Sequence, residues 1–232
     1  MEYPNSIKSR YKATGGAVQF CKQLNRDIPE GWSVKSVKDV ICHINTGLNP
    51  RDNFILNDCS DVKYITVKNL TTYGSLDFNG CDYISFETKN LINRRSKISK
   101  GDILFASIAP LGRCYLIQET PKDWEINESV FTIRPNTNLV TSEYLYLFFM
   151  SDEFIHKAEH SSTGSVFSGI RISVLEDISI LIPPQSVLQS FSNATAASFR
   201  KIYKNQTENA QLIQIRKWLL PMLMNGQAPI SD

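Results

Sequence analysis

The 232-residue chain lacks a long apolar segment, since none approaches the roughly 18 residues that a membrane-spanning helix needs. Its first residues, MEYPNSIKSRYKATGG, lack the apolar core of a secretory signal, so we expect a cytoplasmic protein that is not attached to a membrane. The five cysteines are scattered and form no Cys-x-x-Cys pair. That spacing argues against a disulfide framework and against a structural zinc site.

Common catalytic signatures are also missing. The sequence has no Gly-x-x-x-x-Gly-Lys-Ser/Thr loop, no Gly-x-Ser-x-Gly elbow and no Gly-x-Gly-x-x-Gly turn. The string HKAEH places His156, Glu159 and His160 in the order of an inverted zincin motif, but the only other histidine is His43 in the opposite half of the chain. We therefore predict no bound metal, cofactor or catalysis, and keep a zinc peptidase as the remote alternative.

Charge is nearly balanced but unevenly distributed. The net charge is +2, whereas residues 119–184 carry four basic and ten acidic side chains, which gives −6. Residues 1–27 and 185–232 each carry five basic and two acidic side chains, which gives +3. A weakly basic first half can face a polyanion. Composition alone does not predict nucleic-acid binding.

Short β-rich runs at 62–67, 102–108, 114–119, 129–135 and 178–183 predict strands, because they alternate or are rich in β-branched residues. One strong helix is predicted from Ser142 to about His160. Strands that outnumber helices without regular alternation favour an α+β domain. We assign residues 1–27 to a leader or connector and residues 28–184 to this domain.

The last part of the chain predicts one long helix of the coiled-coil type. Residues 185–224 contain no glycine, and their first proline is Pro221. At 1.5 Å per residue, about 36 residues span roughly 54 Å, so the helix has to project or pair, with folding back on its own domain as the alternative. The apolar residues predicted to pair or dock are Leu188, Phe191, Phe199, Ile202, Leu212, Leu219 and Leu223.

Basic side chains with hydrogen-bonding neighbours cluster in the domain, although a solvated loop is the simpler interpretation for any one of them. Such residues contact phosphates, and arginine, asparagine, serine and threonine also read base edges. The stretch TGSVFSGI at 163–170 is either a turn or an anion cradle. The candidate DNA-binding residues are Lys63, Lys68, Asn69, Arg94, Arg95, Lys97, Arg113, Thr163, Ser165, Ser168 and Arg171.

Several stretches together resemble the specificity subunits of Type I restriction–modification systems. IPEGWSVKSVKDVICHINTGLNPRD is similar to the entry of a target recognition domain, and YITVKNL with KISKGDILFASIAPLGRCYLI resembles its middle. STGSVFSGIRISVLEDISILIPP resembles its exit, and LIQIRKWLLPMLMNGQ the end of the conserved helix. The usual glutamates before Gln189 are replaced by Ser186, Val187 and Leu188.

The resemblance implies a non-catalytic subunit that binds double-stranded DNA at a bipartite site and directs adenine methylation and restriction. Methyltransferase subunits carrying S-adenosylmethionine and a restriction subunit are the implied partners. One recognition domain and one helix, preceded by a connector-like leader, resemble a C-terminal half, which implies pairing with a second copy or a different half-subunit. An oligomerisation adaptor that does not bind DNA is the alternative from another class.

Overall fold

The computed structural model describes residues 17–51, 53–161 and 169–227. Its contacts divide the chain between Gln189 and Ser190 into two compact units. We call residues 17–189 the globular unit and residues 190–227 the helical unit, and describe each by itself. The domain boundaries predicted after residues 27 and 184 stay predictions.

A four-stranded antiparallel sheet forms the centre of the globular unit. Its order is β4 (Ile41–Thr46), β10 (Val130–Pro135), β7 (Ile103–Ala106) and β8 (Cys114–Leu116). All four residues of β7 are buried, which explains why its sequence is an unbroken apolar run. Because β4 and β7 both run antiparallel to β10, their carboxyl ends lie at the same edge of the sheet.

A second sheet contains β6 (Asp82–Ile84), β5 (Val62–Ile65) and β9 (Trp124–Ile126) in that order. Strands β5 and β9 are parallel, and β6 is antiparallel to β5. One apolar cluster includes Ile65 of this sheet and Leu104 of the four-stranded sheet, so the two sheets share a core. The predictions of an α+β fold and of strands in the five β-rich runs are confirmed.

Two further short strands form a two-stranded sheet of their own. Strand β3 (Ser33–Ser36) pairs antiparallel with β11 (Ser179–Ile182). The single-turn helix α1 (Val37–Val40) follows β3 and contacts α5 (Ile172–Asp177). Ser36 caps α1 by accepting a hydrogen bond from the backbone of Asp39, while the Asp39 side chain accepts one from the backbone of Ser36.

The predicted connector contributes a hairpin to the globular unit. Strand β1 (Val18–Cys21) pairs antiparallel with β2 (Arg26–Pro29). Arg26 reaches Glu153 at 3.2 Å, and Glu153 also pairs with Lys157 at 2.8 Å. The Arg26–Glu153 pair joins the hairpin to the rest of the unit, whereas Glu153 and Lys157 lie on the same helix. Because these side chains are partly exposed, each pair adds at most about 1 kcal/mol.

Helix α2 (Phe86–Arg95) was not predicted from the sequence. Ser85 caps its first turn by accepting a hydrogen bond from the backbone of Thr88. Its apolar stripe is short, with Thr88 and Ile92 as its buried residues, and this is why hydrophobic periodicity did not reveal it.

The single helix predicted from Ser142 to His160 is wrong, because the structure has two helices there. Helix α3 (Ser142–Phe149) ends at Met150, and α4 (Asp152–Ser161) begins just beyond. The break lets Phe149 and Phe154 both pack against Phe105, with ring centroids 5.6 Å apart in each case. The Ser151 hydroxyl stabilises the break by donating to the Phe148 carbonyl and accepting from the Phe154 backbone.

The predicted long helix is present as α6 (Gln185–Met224), which has 40 residues. Leu188, which we predicted to lie on the pairing surface, is only 1% exposed and belongs to the core of the globular unit. The reason is that α6 begins inside the globular unit, before the helical unit starts at Ser190. No helix among the described residues is both long and apolar enough to span a bilayer.

Glu125 on β9 is a buried carboxyl group that is only partly compensated by its neighbours. It is 1% exposed, and its Oε2 has no hydrogen-bond partner. Burial raises its pKa to about 7, against the smaller lowering effects of Lys89 and Asn93 on α2. The folded chain therefore holds a proton that the unfolded chain releases above its ordinary pKa near 4.5.

We predict that the wild-type free energy of unfolding falls as the pH rises from about 4.5 to 7, because the folded state binds more protons in that window. The neutral variant Glu125→Gln lacks this fall. At about pH 8 its free energy of unfolding therefore exceeds that of the wild type by up to about 3 kcal/mol. Urea unfolding at several pH values measures the difference. Glu87→Gln, at an exposed position, is the control and behaves as the wild type; parallel pH profiles for all three chains would refute the prediction.

Candidate nucleic-acid interface

The carboxyl ends of β4, β5, β7 and β9 lie at one edge of the two sheets, where five loops meet. We call this surface the loop edge. It consists of Gly47–Arg51, Thr66–Asn69, Ser107–Arg113, Asn127–Ser129 and Gly169–Arg171. The opposite edge holds residues 36–40 and 99–102, at the starts of β4 and β7.

Backbone hydrogen bonds join the loops that follow β4, β5 and β9. The Gly47 amide donates to the Asn127 carbonyl (3.2 Å), and the Asn127 amide donates to the Ile65 carbonyl (2.9 Å). A Cβ atom at position 47 would lie 1.9 Å from the Ile126 carbonyl oxygen. Only glycine allows the two loops to approach this closely.

Ser107 joins the remaining loops through both of its backbone groups. Its amide donates to the Ser129 carbonyl (3.0 Å), and its carbonyl accepts from the Ile170 amide (2.7 Å). A Cβ atom at Gly169 would lie 2.1 Å from the same carbonyl oxygen. The segment before Arg171 is therefore held directly against the loop that follows β7.

Arg113 organises the loop that contains it. Its guanidinium donates to the backbone carbonyls of Val67 (2.7 Å), Ile108 (3.2 Å), Ala109 (3.3 Å) and Pro110 (3.2 Å). Burial lowers its pKa, but an arginine remains charged at neutral pH. These bonds engage its donors with the backbone and give Arg113 a positioning role in the loop, while the DNA contact predicted for it stays a prediction.

Asn69 is also occupied within the fold. It is 5% exposed, and its Nδ2 donates to the Asp77 carbonyl (2.8 Å) and to the Cys81 sulfur (3.2 Å). Its Oδ1 accepts from the backbone and hydroxyl of Thr66. Since the side-chain amide has no exposed group left for a base, we leave this predicted contact out of the interface.

Lys63 does not lie at the loop edge. It sits near the start of β5, where its ammonium pairs with Asp123 at 2.6 Å and lies 5.4 Å from the Phe78 ring centroid. The hydrogen bond from Lys63 lowers the pKa of Asp123. This engaged ammonium at the far end of its strand is not part of the interface that we propose.

The loop edge is predominantly basic. Its charged residues are Arg51, Lys68, Arg113, Glu128 and Arg171, four basic and one acidic. The predicted candidates Lys68 and Arg171 are exposed there, and so is Arg51, which the sequence reasoning missed. These three exposed cations, on loops that are fixed to one another, form a surface suited to a phosphate backbone.

Glu128 is a second residue that the sequence reasoning missed. Its Oε1 accepts from Asn49 Nδ2 at 3.0 Å, while Oε2 is buried without a hydrogen-bond partner. The hydroxyl of Tyr64 holds the loop that contains Asn49 by donating to the Leu48 carbonyl. Burial raises the pKa of Tyr64, and the charge of Glu128 adds to the effect. Nothing in the local sequence signals this arrangement, because its parts come from three separate segments.

Three predicted basic residues lie at or just beyond the end of α2, and one of them adjoins the loop edge. Arg94, Arg95 and Lys97 are all exposed. Arg95 donates to the Thr46 hydroxyl (3.1 Å), and its carbonyl accepts from Asn45 Nδ2 (2.8 Å). Because Thr46 directly precedes Gly47, Arg95 extends the basic surface beyond the five loops. Lys97 lies further toward the opposite edge, since its carbonyl accepts a hydrogen bond from Arg134, which also binds Asp102.

The other predicted residues are not brought into this surface. Thr163, Ser165 and Ser168 lie outside the described residues, as does the side chain of His160. His156 and Glu159 on α4 are exposed. In the described ranges, no three histidine, cysteine or acidic side chains are grouped so that they could hold a metal ion.

Comparison with known sequences identifies proteins that are similar to most of this chain. The profile of the family described as "Type I restriction modification DNA specificity domain" matches residues 29–216. The chain is 24% identical over 213 residues to the Type I restriction enzyme MjaIX specificity subunit of Methanocaldococcus jannaschii, covering 90% of this chain and 47% of that protein. It is 26% identical over 208 residues to the HindI specificity subunit of Haemophilus influenzae, covering 86% and 42%. The chain thus spans less than half the length of these curated relatives.

Solved structures share the fold. The HsdS subunit from Thermoanaerobacter tengcongensis superposes with a TM-score of 0.54 at 15% identity, covering 83% of this chain and 48% of that chain. The S subunit of a Type I restriction–modification system from M. genitalium gives a TM-score of 0.51 at 15% identity, covering 81% and 43%. At these identities the likeness concerns the fold.

Proposed function

We infer that this chain, which belongs to the family of Type I restriction–modification DNA specificity domains, recognises a double-stranded DNA sequence through its loop edge. The observation that carries the proposal is the set of five loops, hydrogen-bonded to one another, that presents the exposed cations Arg51, Lys68 and Arg171. Exposed Lys68 and Arg171 contact phosphates and fix the register on the duplex. Arg95, with its neighbour Arg94, extends that contact along the phosphate backbone.

The chain itself performs no chemistry in this proposal. It acts as half of a specificity subunit that docks methyltransferase subunits and, with a restriction subunit, directs adenine methylation and cleavage to its site. S-adenosylmethionine is bound by the partner methyltransferase. Support comes from the family and from the curated relatives, which are specificity subunits about twice as long. The cytoplasmic location stays a prediction.

The helical unit supports docking of more than one partner. Near its end, Leu212, Ile215 and Leu223 lie on one face and are 55%, 50% and 41% exposed. Ile213 and Leu220, 38% and 54% exposed, lie on the face that adjoins Leu223, and Trp218, 64% exposed, lies on the other side of Ile215. A helix that is apolar on several faces is normally covered on several faces. We propose that one face takes the α6 helix of a second copy and that the other takes a methyltransferase subunit.

Phe191, Phe199 and Leu219 are half-buried, and Ile202 is 51% exposed. The proposed pairing surface therefore concentrates toward the carboxyl end of the helix, with Ile202 as its exposed member further toward the amino end. Leu188, in the core of the globular unit, is not part of it.

The DNA-contact prediction uses two pairs of charge changes. The double variant Lys68→Gln/Arg171→Gln should lose two phosphate contacts and flatten the dependence of log K on log salt by nearly 2, at about 0.9 per contact. The control Lys38→Gln/Lys100→Gln removes the same charge from exposed positions at the opposite edge. Fluorescence anisotropy across a salt series measures both slopes. Equal slopes for the two double variants would place the DNA elsewhere.

A chain that self-associates without salt-sensitive DNA affinity would favour the adaptor alternative.

The pairing prediction compares neighbouring residues on the helix. Ile215→Glu buries a carboxylate in the apolar contact and should weaken self-association at least tenfold, which corresponds to about 1.4 kcal/mol. Gln214→Glu adds the same charge at an exposed polar position and leaves association nearly unchanged. Sedimentation equilibrium gives both dissociation constants. A wild-type chain that stays monomeric at micromolar concentration contradicts pairing with a second copy and leaves a different half-subunit as the partner.

The target-site prediction follows from two-fold symmetry. The 40 residues of α6 span about 60 Å, so antiparallel pairing separates the amino ends of the two helices by between one and two turns of B-DNA. Two copies should then read an interrupted palindrome, in which a fixed spacer separates a short half-site from its inverted repeat. Methylation mapping in cells that express only this chain with its methyltransferase tests the proposed function. An asymmetric or continuous methylated motif contradicts the symmetric pair, and the absence of any motif contradicts sequence recognition.

A further inference from the structure

One exposed part of the loop edge is apolar. Ile108, Ala109 and Pro110 are three consecutive exposed residues in the loop that follows β7, and Ile108 is 38% exposed. We call them the apolar tip. They lie on the same loop edge as the exposed cations Lys68 and Arg171, on a surface otherwise suited to phosphates.

The apolar tip is rigidly built. The guanidinium of Arg113 donates to the carbonyl of each tip residue and to Val67, so it fastens the tip to the neighbouring loop. Ser107 fixes the other end through its bonds to Ser129 and Ile170. The guanidinium of Arg113 and both backbone groups of Ser107 thus hold three apolar side chains exposed to solvent. Solvation does not account for that arrangement, because exposed apolar groups gain nothing from water.

Among the groups that DNA presents at its edges, the thymine methyl is the one suited to an apolar partner. It projects into the major groove and distinguishes A·T from the other base pairs by apolar contact. The phosphates on either side are suited to the exposed Lys68 and Arg171. We propose that Ile108, held in place by Arg113, reads the methyl group of a thymine in the half-site. The proposal rests on DNA recognition by the loop edge and names one specificity-determining residue within it.

Uracil tests the proposal, since it differs from thymine only by lacking the 5-methyl group. In duplexes that carry the mapped site, each thymine of one half-site is replaced in turn by uracil, and the affinity of the full chain with its methyltransferase is measured. The wild type should lose about fourfold at one position, the effect of exposing one buried methyl group. Ile108→Ala should bind the thymine and uracil duplexes equally at that position while keeping its preference at the other positions.

Leu91→Ala is the matched control. Leu91 has the same exposed fraction as Ile108, 38%, but lies on α2 outside the five loops, so this variant should retain the thymine preference. Thermal unfolding of both variants checks that the fold is kept, which is expected because both side chains are on the surface. Loss of the thymine preference in Leu91→Ala as well would show a general effect and overturn the assignment to Ile108.

The experiment distinguishes a failure of the Ile108 proposal from a failure of the proposed DNA recognition. Specific binding with a flat uracil scan, or an unchanged scan in Ile108→Ala, overturns only the role of the apolar tip. A flat scan is also the result if the tip acts as a wedge in the minor groove, where no thymine methyl is present. Binding that does not discriminate between the mapped site and unrelated duplexes overturns the proposed function itself.

Discussion

Loops at the end of a sheet contain backbone amides and carbonyls that are no longer paired within strands. Such groups need hydrogen-bond partners when they are buried. In this chain the loops satisfy one another. The two backbone groups of Ser107 bond to Ser129 and Ile170, and the amides of Gly47 and Asn127 close the chain of contacts to β5. Without glycine at positions 47 and 169 these approaches would be blocked by a Cβ atom. The shared hydrogen bonds turn five separate segments into one surface, and the proposed DNA recognition depends on it.

Charged side chains serve two purposes in the globular unit. Some build the fold: Arg134 makes two hydrogen bonds of 2.7 Å to Asp102, which is 1% exposed, and Arg113 ties down the apolar tip. Others, such as Lys68 and Arg171, remain exposed at the loop edge. A cation that is engaged by backbone carbonyls cannot also offer those donors to a base, so the exposed set carries the proposed phosphate contacts.

The same distinction shows how far the sequence could predict the structure. The fold class, the five β-rich strands and the long helix were predictable, because each rests on local periodicity. The break at Met150 and Ser151 was not, because it depends on Phe149 and Phe154 both reaching Phe105 from a distant strand. The sequence likewise could not separate Asn69 and Arg113 from Lys68, since the partners of the first two lie on other segments. The spacing of apolar residues places Leu188 on the pairing stripe of the helix, and only the three-dimensional core shows that it is buried.

The central claim is that DNA contacts the loop edge, and side-chain oxidation footprinting tests it most directly. Hydroxyl radicals label exposed side chains of the chain with and without its specific duplex, and mass spectrometry locates the protected residues. The account predicts protection within the Thr66–Asn69, Ser107–Arg113 and Gly169–Arg171 loops, and unchanged labelling at residues 36–40 and 99–102. Protection of residues 36–40 and 99–102 with unchanged labelling of the three loops would contradict it.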